Sequence, residues 1–116
     1  MVRTIVCVCL LSFCVAAMAS AQDPKARGEK IFAERKCGRC HSIAGNGNMD
    51  GPLDDIGARL PADESREWIT DPKAMIARTA SQFRKHRKPD MEQYTLPKEE
   101  IDALVRYLSS LKKNSQ

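Results

Sequence analysis

Little in this 116-residue chain is long, repeated or one-sided. The longest apolar run, residues 5–17, falls short of the roughly 20 residues that a membrane-crossing helix needs. Beyond residue 21 there is no strand-like alternation, no internal repeat and no low-complexity tract. Charge of one sign is not in large excess: 19 Lys and Arg stand against 15 Asp and Glu, a net of +4. That balance is too mild for a dedicated nucleic-acid binder. Cysteine is the scarcity that matters most. Of five cysteines, Cys7, Cys9 and Cys14 lie in the first 21 residues, leaving only Cys37 and Cys40. Two cysteines cannot build a disulfide framework, and they offer no second ligand pair for a structural zinc site.

The first residues read as an export signal. A single charge at Arg3 precedes the apolar run, and Ala19-Ser20-Ala21 supplies an A-x-A end. An uncleaved membrane anchor is the alternative reading. Cleavage after Ala21 leaves residues 22–116 as one small domain, with 18 basic residues because only Arg3 departs, and a net charge of +3. A chain of this size buries a limited share of its surface and benefits from a covalent staple. Export predicts an oxidising, periplasmic setting.

The two remaining cysteines sit in Cys37-Gly38-Arg39-Cys40-His41. C-x-x-C-H is the pattern of covalent c-type haem attachment. Thiols three positions apart on one turn reach the two vinyl groups on one porphyrin edge. The adjoining imidazole is then carried beneath the iron. A thioredoxin-like reading would need a βαβ neighbourhood, whereas the flanks here are charged and helical. A zinc reading fits poorly, because adjacent Cys40 and His41 point apart.

The rest of the chain reads as helices joined by breakers. Asp23-Pro24 is a cap followed by proline at the first helical position, predicting a helix to about Cys37 or Cys40 with Gly28, Ile31 and Phe32 on one face. Residues 44–51 are rich in Gly and Asn and read as loop. Asp63 or Ser65 is placed to cap a short helix carrying Trp68 and Ile69, and Asp71-Pro72 opens another toward Ile76. Residues 80–96 read as mostly irregular and carry the basic run Arg84, Lys85, Arg87 and Lys88. A last helix is predicted from about Pro97 to Lys112. Ile101, Leu104, Val105, Leu108 and Leu111 form its apolar stripe, and Lys112 and Lys113 sit at its negative end.

These features resemble a class I cytochrome c of the small, exported, monohaem bacterial kind, over nearly all of residues 24–111. The attachment motif is joined by Gly28-x-x-x-Phe32 in the first helix and Leu104-x-x-Tyr107 in the last, by Gly51-Pro52-Leu53, and by a methionine loop before the last helix. The resemblance implies an all-α, cytochrome c-like fold. Three to five helices would wrap one covalently bound haem c, and the N- and C-terminal helices would cross. It implies His41 as the proximal ligand, with its outer nitrogen bonded to the carbonyl of Pro52. It implies Met91 as the sixth ligand. Glu92 follows Met91 where the family often has proline.

Met75, Met49 and His86 are the other side chains weighed for the iron; Met75 reads as a core gap-filler, Met49 as too close to His41, and His86 as a solvated surface histidine. Trp68 is a candidate donor to a haem propionate, since a buried indole seeks a partner, and Arg59 a candidate counter-ion. A closed His/Met iron implies a one-electron carrier and no substrate reaction of its own. Its partners would be redox proteins: a dehydrogenase or membrane complex as donor, an oxidase or reductase as acceptor. Nucleic acid is not expected, nor membrane contact beyond a peripheral one or a retained leader. The competing expectations are an open or labile sixth site for a small gas or peroxide, and a cytochrome subunit of a dehydrogenase complex.

Overall fold

The structure, a computed structural model, describes residues 23–79 and 90–113. The leader, the basic run at 84–88 and His86 lie outside those residues. The regular elements of the described residues are helices apart from one minimal hairpin: α1 (Pro24–Glu34), a 3-10 turn (Cys37–Arg39), β1 (Ser42–Ile43), β2 (Asn46–Gly47), α2 (Ile56–Arg59), α3 (Ala62–Thr70), α4 (Pro72–Thr79) and α5 (Lys98–Ser110). This is the helical architecture expected for a cytochrome c-like fold.

Helix α5 is the centre, with α1, α2 and α3 all packed on it. Leu104 and Val105 of the expected stripe are buried, while Ile101, Leu108 and Leu111 are half-buried. Ala103 and Tyr107, outside that stripe, are also buried. They face α1, so α5 buries two adjoining faces where the stripe marked one. Gly28 makes the contact possible. A Cβ there would stand 2.2 Å from the Ala103 carbonyl oxygen and 2.5 Å from Tyr107 Cβ, closer than atoms pack. One turn on, Phe32 meets Tyr107 edge to face, with ring centroids 6.1 Å apart at 67°. Ile31, Ile69, Ala103, Leu104 and Val105 close the core.

Several local expectations shift. α1 stops at Glu34, short of Cys37, because Lys36 turns left-handed at φ 57° and frees the chain for the 3-10 turn. Neither Asp63 nor Ser65 caps α3. Pro61 stands at its N-cap, Asp63 lies in the first turn, and Ser65 is buried. Asp71 does cap α4, its carboxylate accepting from the Ala74 N–H at 3.0 Å. α5 ends at Ser110, so Lys112 and Lys113 fall past its last turn. The chain is drawn off toward α2: the Gly57 N–H donates to the Leu111 carbonyl at 2.9 Å, and the Lys113 N–H to Asp55 at 2.9 Å. Ion pairs tie the bundle across its surface, Arg35 to Glu100 at 2.7 Å and Arg66 to Asp102 at 2.6 Å.

Candidate functional site

The 3-10 turn places Cys37 and Cys40 at its two ends. The Cys40 N–H and His41 N–H both donate to the Cys37 carbonyl, at 3.1 and 3.0 Å. Cys37 is half-buried, Cys40 is exposed, and both thiols are free. Burial pushes the Cys37 thiol above its usual range; its own backbone hydrogen bond pulls it back, Cys40 raises it further, and Arg35 opposes.

Asn48 holds this turn from outside. Its N–H is shared between the Gly38 carbonyl at 3.0 Å and the His41 carbonyl at 3.2 Å. Its side-chain amide donates to the Arg39 carbonyl at 3.1 Å. The hairpin of β1 and β2 brings Asn48 there, pairing Ser42 with Gly47 and Ile43 with Asn46. Asn48 was not singled out in the sequence; an Asn in a Gly-rich loop signals a turn but not what the turn grips.

His41 is half-buried. Its Nδ1 lies 3.1 Å from the carbonyl oxygen of Gly51. Since that oxygen can only accept, Nδ1 donates to it, which in the neutral ring leaves the lone pair on Nε2. The acceptor expected was the Pro52 carbonyl, and the structure corrects this by one residue. Pro52 lies opposite Ser42 in a parallel bridge, with the Ser42 N–H donating to Gly51 at 3.1 Å and the Leu53 N–H to Ser42 at 2.9 Å. Successive carbonyls of extended chain point opposite ways, so turning Gly51 toward residues 41 and 42 turns Pro52 away. Gly51 must be glycine, because a Cβ would stand 2.2 Å from the Cys40 carbonyl oxygen and 3.1 Å from His41 Nδ1.

The other candidates are spread out. Met91 is half-buried in the irregular segment before α5. The next residue, Glu92, pairs with Arg39 at 3.3 Å, which brings this segment against the cysteine turn. Met75 is 2% exposed, with its sulfur against the Arg78 guanidinium on α4. Met49 is 64% exposed. Trp68 is half-buried on α3. Arg59 is exposed in the last turn of α2 and forms no ion pair among the described residues.

Two free thiols on one turn, an imidazole with its outer nitrogen engaged, and a thioether loop tied to that turn form a donor set that fits covalent haem c. Among the described residues no group of three or more His, Cys, Asp and Glu is gathered to hold a metal ion. No helix of the described residues is long and apolar enough to cross a membrane.

A helical domain built round such a site is the class that carries electrons on haem. The cytochrome c family profile matches residues 25–112, and the chain belongs to that family. It is also 32% identical over 95 residues to a protein named cytochrome c oxidase subunit 2 from Alkalihalophilus pseudofirmus, a match covering 74% of this chain and 25% of that one. The chain thus spans about a quarter of that relative's length. No solved structure matched the chain.

Proposed function

We propose that this chain is a periplasmic one-electron carrier, exported by the leader at residues 1–21 and working as the domain 22–116, in which Cys37 and Cys40 would hold a haem covalently and His41 and Met91 would ligate its iron. When bound, the haem supplies an iron that cycles between Fe(II) and Fe(III). The chain's residues decide what that iron does. Gly51 fixes the His41 tautomer and strengthens Nε2 as a ligand. Asn48 holds the attachment turn in shape. A Met91 thioether on that iron would leave no place for oxygen or peroxide and would favour Fe(II) more than a second imidazole. On this reading the chain catalyses no substrate reaction, and its contacts with donor and acceptor proteins are small, transient and salt-sensitive. The observation that carries the proposal is the hydrogen bond from His41 of C-x-x-C-H to the Gly51 carbonyl.

The oxidase-subunit relative supports a second reading, in which the same electron-carrying domain serves inside a larger oxidoreductase complex. Spectroscopic redox titration of wild type and Met91→Ala, with carbon monoxide added to each ferrous form, tests the ligand set. The expected outcome is no rapid CO binding by wild type, with rapid binding and a potential lowered by more than about 59 mV, a factor of ten, in the variant. An unchanged potential in Met91→Ala, or rapid CO binding by wild type, would remove Met91 from its role.

A further inference from the structure

We propose that the Arg39–Glu92 ion pair is a latch that holds the Met91 loop against the haem-attachment turn, making both side chains positioning residues for the sixth ligand. This rests on Met91 being that ligand. Arg39 is the second variable residue of C-x-x-C-H, and Glu92 directly follows Met91. An Arg39 guanidinium nitrogen lies 3.3 Å from Glu92 Oε2, bridging 53 positions of sequence. The Tyr94 hydroxyl donates to the same oxygen, also at 3.3 Å. Burial, followed by the charge of Glu92, pushes the Tyr94 phenol above its usual range, so it stays a donor over the physiological span.

The two ends of the latch differ in stiffness. Arg39 is anchored: its N–H donates to the Lys36 carbonyl at 3.0 Å and its carbonyl accepts from Asn48 at 3.1 Å. Residues 90–97 belong to no helix or strand. A proline at position 92 would restrict that backbone by fixing φ. Glutamate cannot, but it can be clasped. The chain replaces a local restraint by a cross-link to the one segment that also carries the proximal ligand. Both partners are largely exposed, at 66% and 64%, so the constraint is modest and the expected effect is a few-fold change rather than loss of the ligand.

Imidazole titration of the ferric holoprotein at low ionic strength reads how firmly the sixth position is held, because imidazole must displace the native ligand. Arg39→Gln and Glu92→Gln are each expected to tighten imidazole binding about two- to fivefold. The charge-swapped pair Arg39→Glu with Glu92→Arg is expected to return toward wild type. The differences should shrink in about 1 M salt, where the screening length is about 3 Å. Unchanged affinity in both single variants, or a swap no better than either, would overturn the latch. Met91→Ala separates the two levels. If it tightens binding many-fold while the other variants match wild type, only the latch fails. If it leaves affinity and ferric spectrum unchanged, the ligand assignment beneath it fails.

Discussion

At the scale of single residues the site is a problem of hydrogen-bond direction. The cysteine spacing and the adjacent histidine were legible in the sequence, because their chemistry demands that order. The acceptor for His41 was legible only to within one residue. Gly51 and Pro52 are both in the quoted tripeptide, but which carbonyl faces the ring depends on the bridge to Ser42, a contact between distant backbones. The role of Asn48 was hidden for the same reason. It satisfies carbonyls of Gly38, Arg39 and His41 through one backbone N–H and one amide. Asn48→Ala keeps the backbone donor and loses the amide. It is expected to lower the stability of the holoprotein by about 1 kcal/mol in urea unfolding, with a normal mass of attached haem. The lost side chain both donates to Arg39 and accepts from the Asp50 N–H at 2.9 Å, so unaltered stability would show that these two bonds together contribute nothing.

Among elements, the crossing of α1 and α5 was legible through the family resemblance carried by Gly28-x-x-x-Phe32 and Leu104-x-x-Tyr107, and the structure packs the two helices together at Gly28. The α5 stripe marked only one of its two buried faces, since Ala103 and Tyr107 look unremarkable until α1 is placed on them. Helix ends were less legible. The stop at Glu34 is made by a left-handed Lys36, a conformation that lysine does not advertise.

Gly28→Ala tests the crossing. Alanine in a helix interior gains about 1 kcal/mol over glycine. Here the new methyl meets a backbone carbonyl that cannot step aside, so a net loss of about 2 kcal/mol is expected in chemical unfolding. A stabilised variant would mean that the helices do not approach as described.

The α3–α5 junction carries a pH signature. Hydrogen bonds from Lys98, and then from Arg66, hold the Asp102 carboxyl below its usual range. A depressed folded-state value means that the unfolded chain binds protons first. The stabilisation is therefore present above the ordinary carboxylate value of about 3.9 and is lost as pH falls through the lower folded value. Relative to Asp102→Asn, wild type is expected to show its advantage in urea unfolding at about pH 6 and to lose it progressively as pH falls below about 3.9. An advantage independent of pH would contradict this assignment.

At the scale of the whole molecule, a small helical domain of the cytochrome c family carries its attachment motif on the 3-10 turn before the hairpin and the proposed Met91 ligand on the loop before α5. The helix α5 is the spine on which α1, α2 and α3 pack, and the attachment turn leans on α1 and β2. The sequence carried the fold class and the attachment motif well, because both rest on short-range patterns. How residues 37–41 and 90–96 meet was not legible, since the Arg39–Glu92 contact joins charges that look like ordinary surface.

The central claim is that haem is covalently joined to Cys37 and Cys40. Intact-mass spectrometry tests it most directly, on protein made in cells able to mature c-type cytochromes and purified without selection for colour. The expected result is the mass of the polypeptide plus one haem, surviving denaturation and absent from the Cys37→Ala, Cys40→Ala double variant. A colourless product at the bare polypeptide mass, or a haem mass lost on denaturation, would contradict the account.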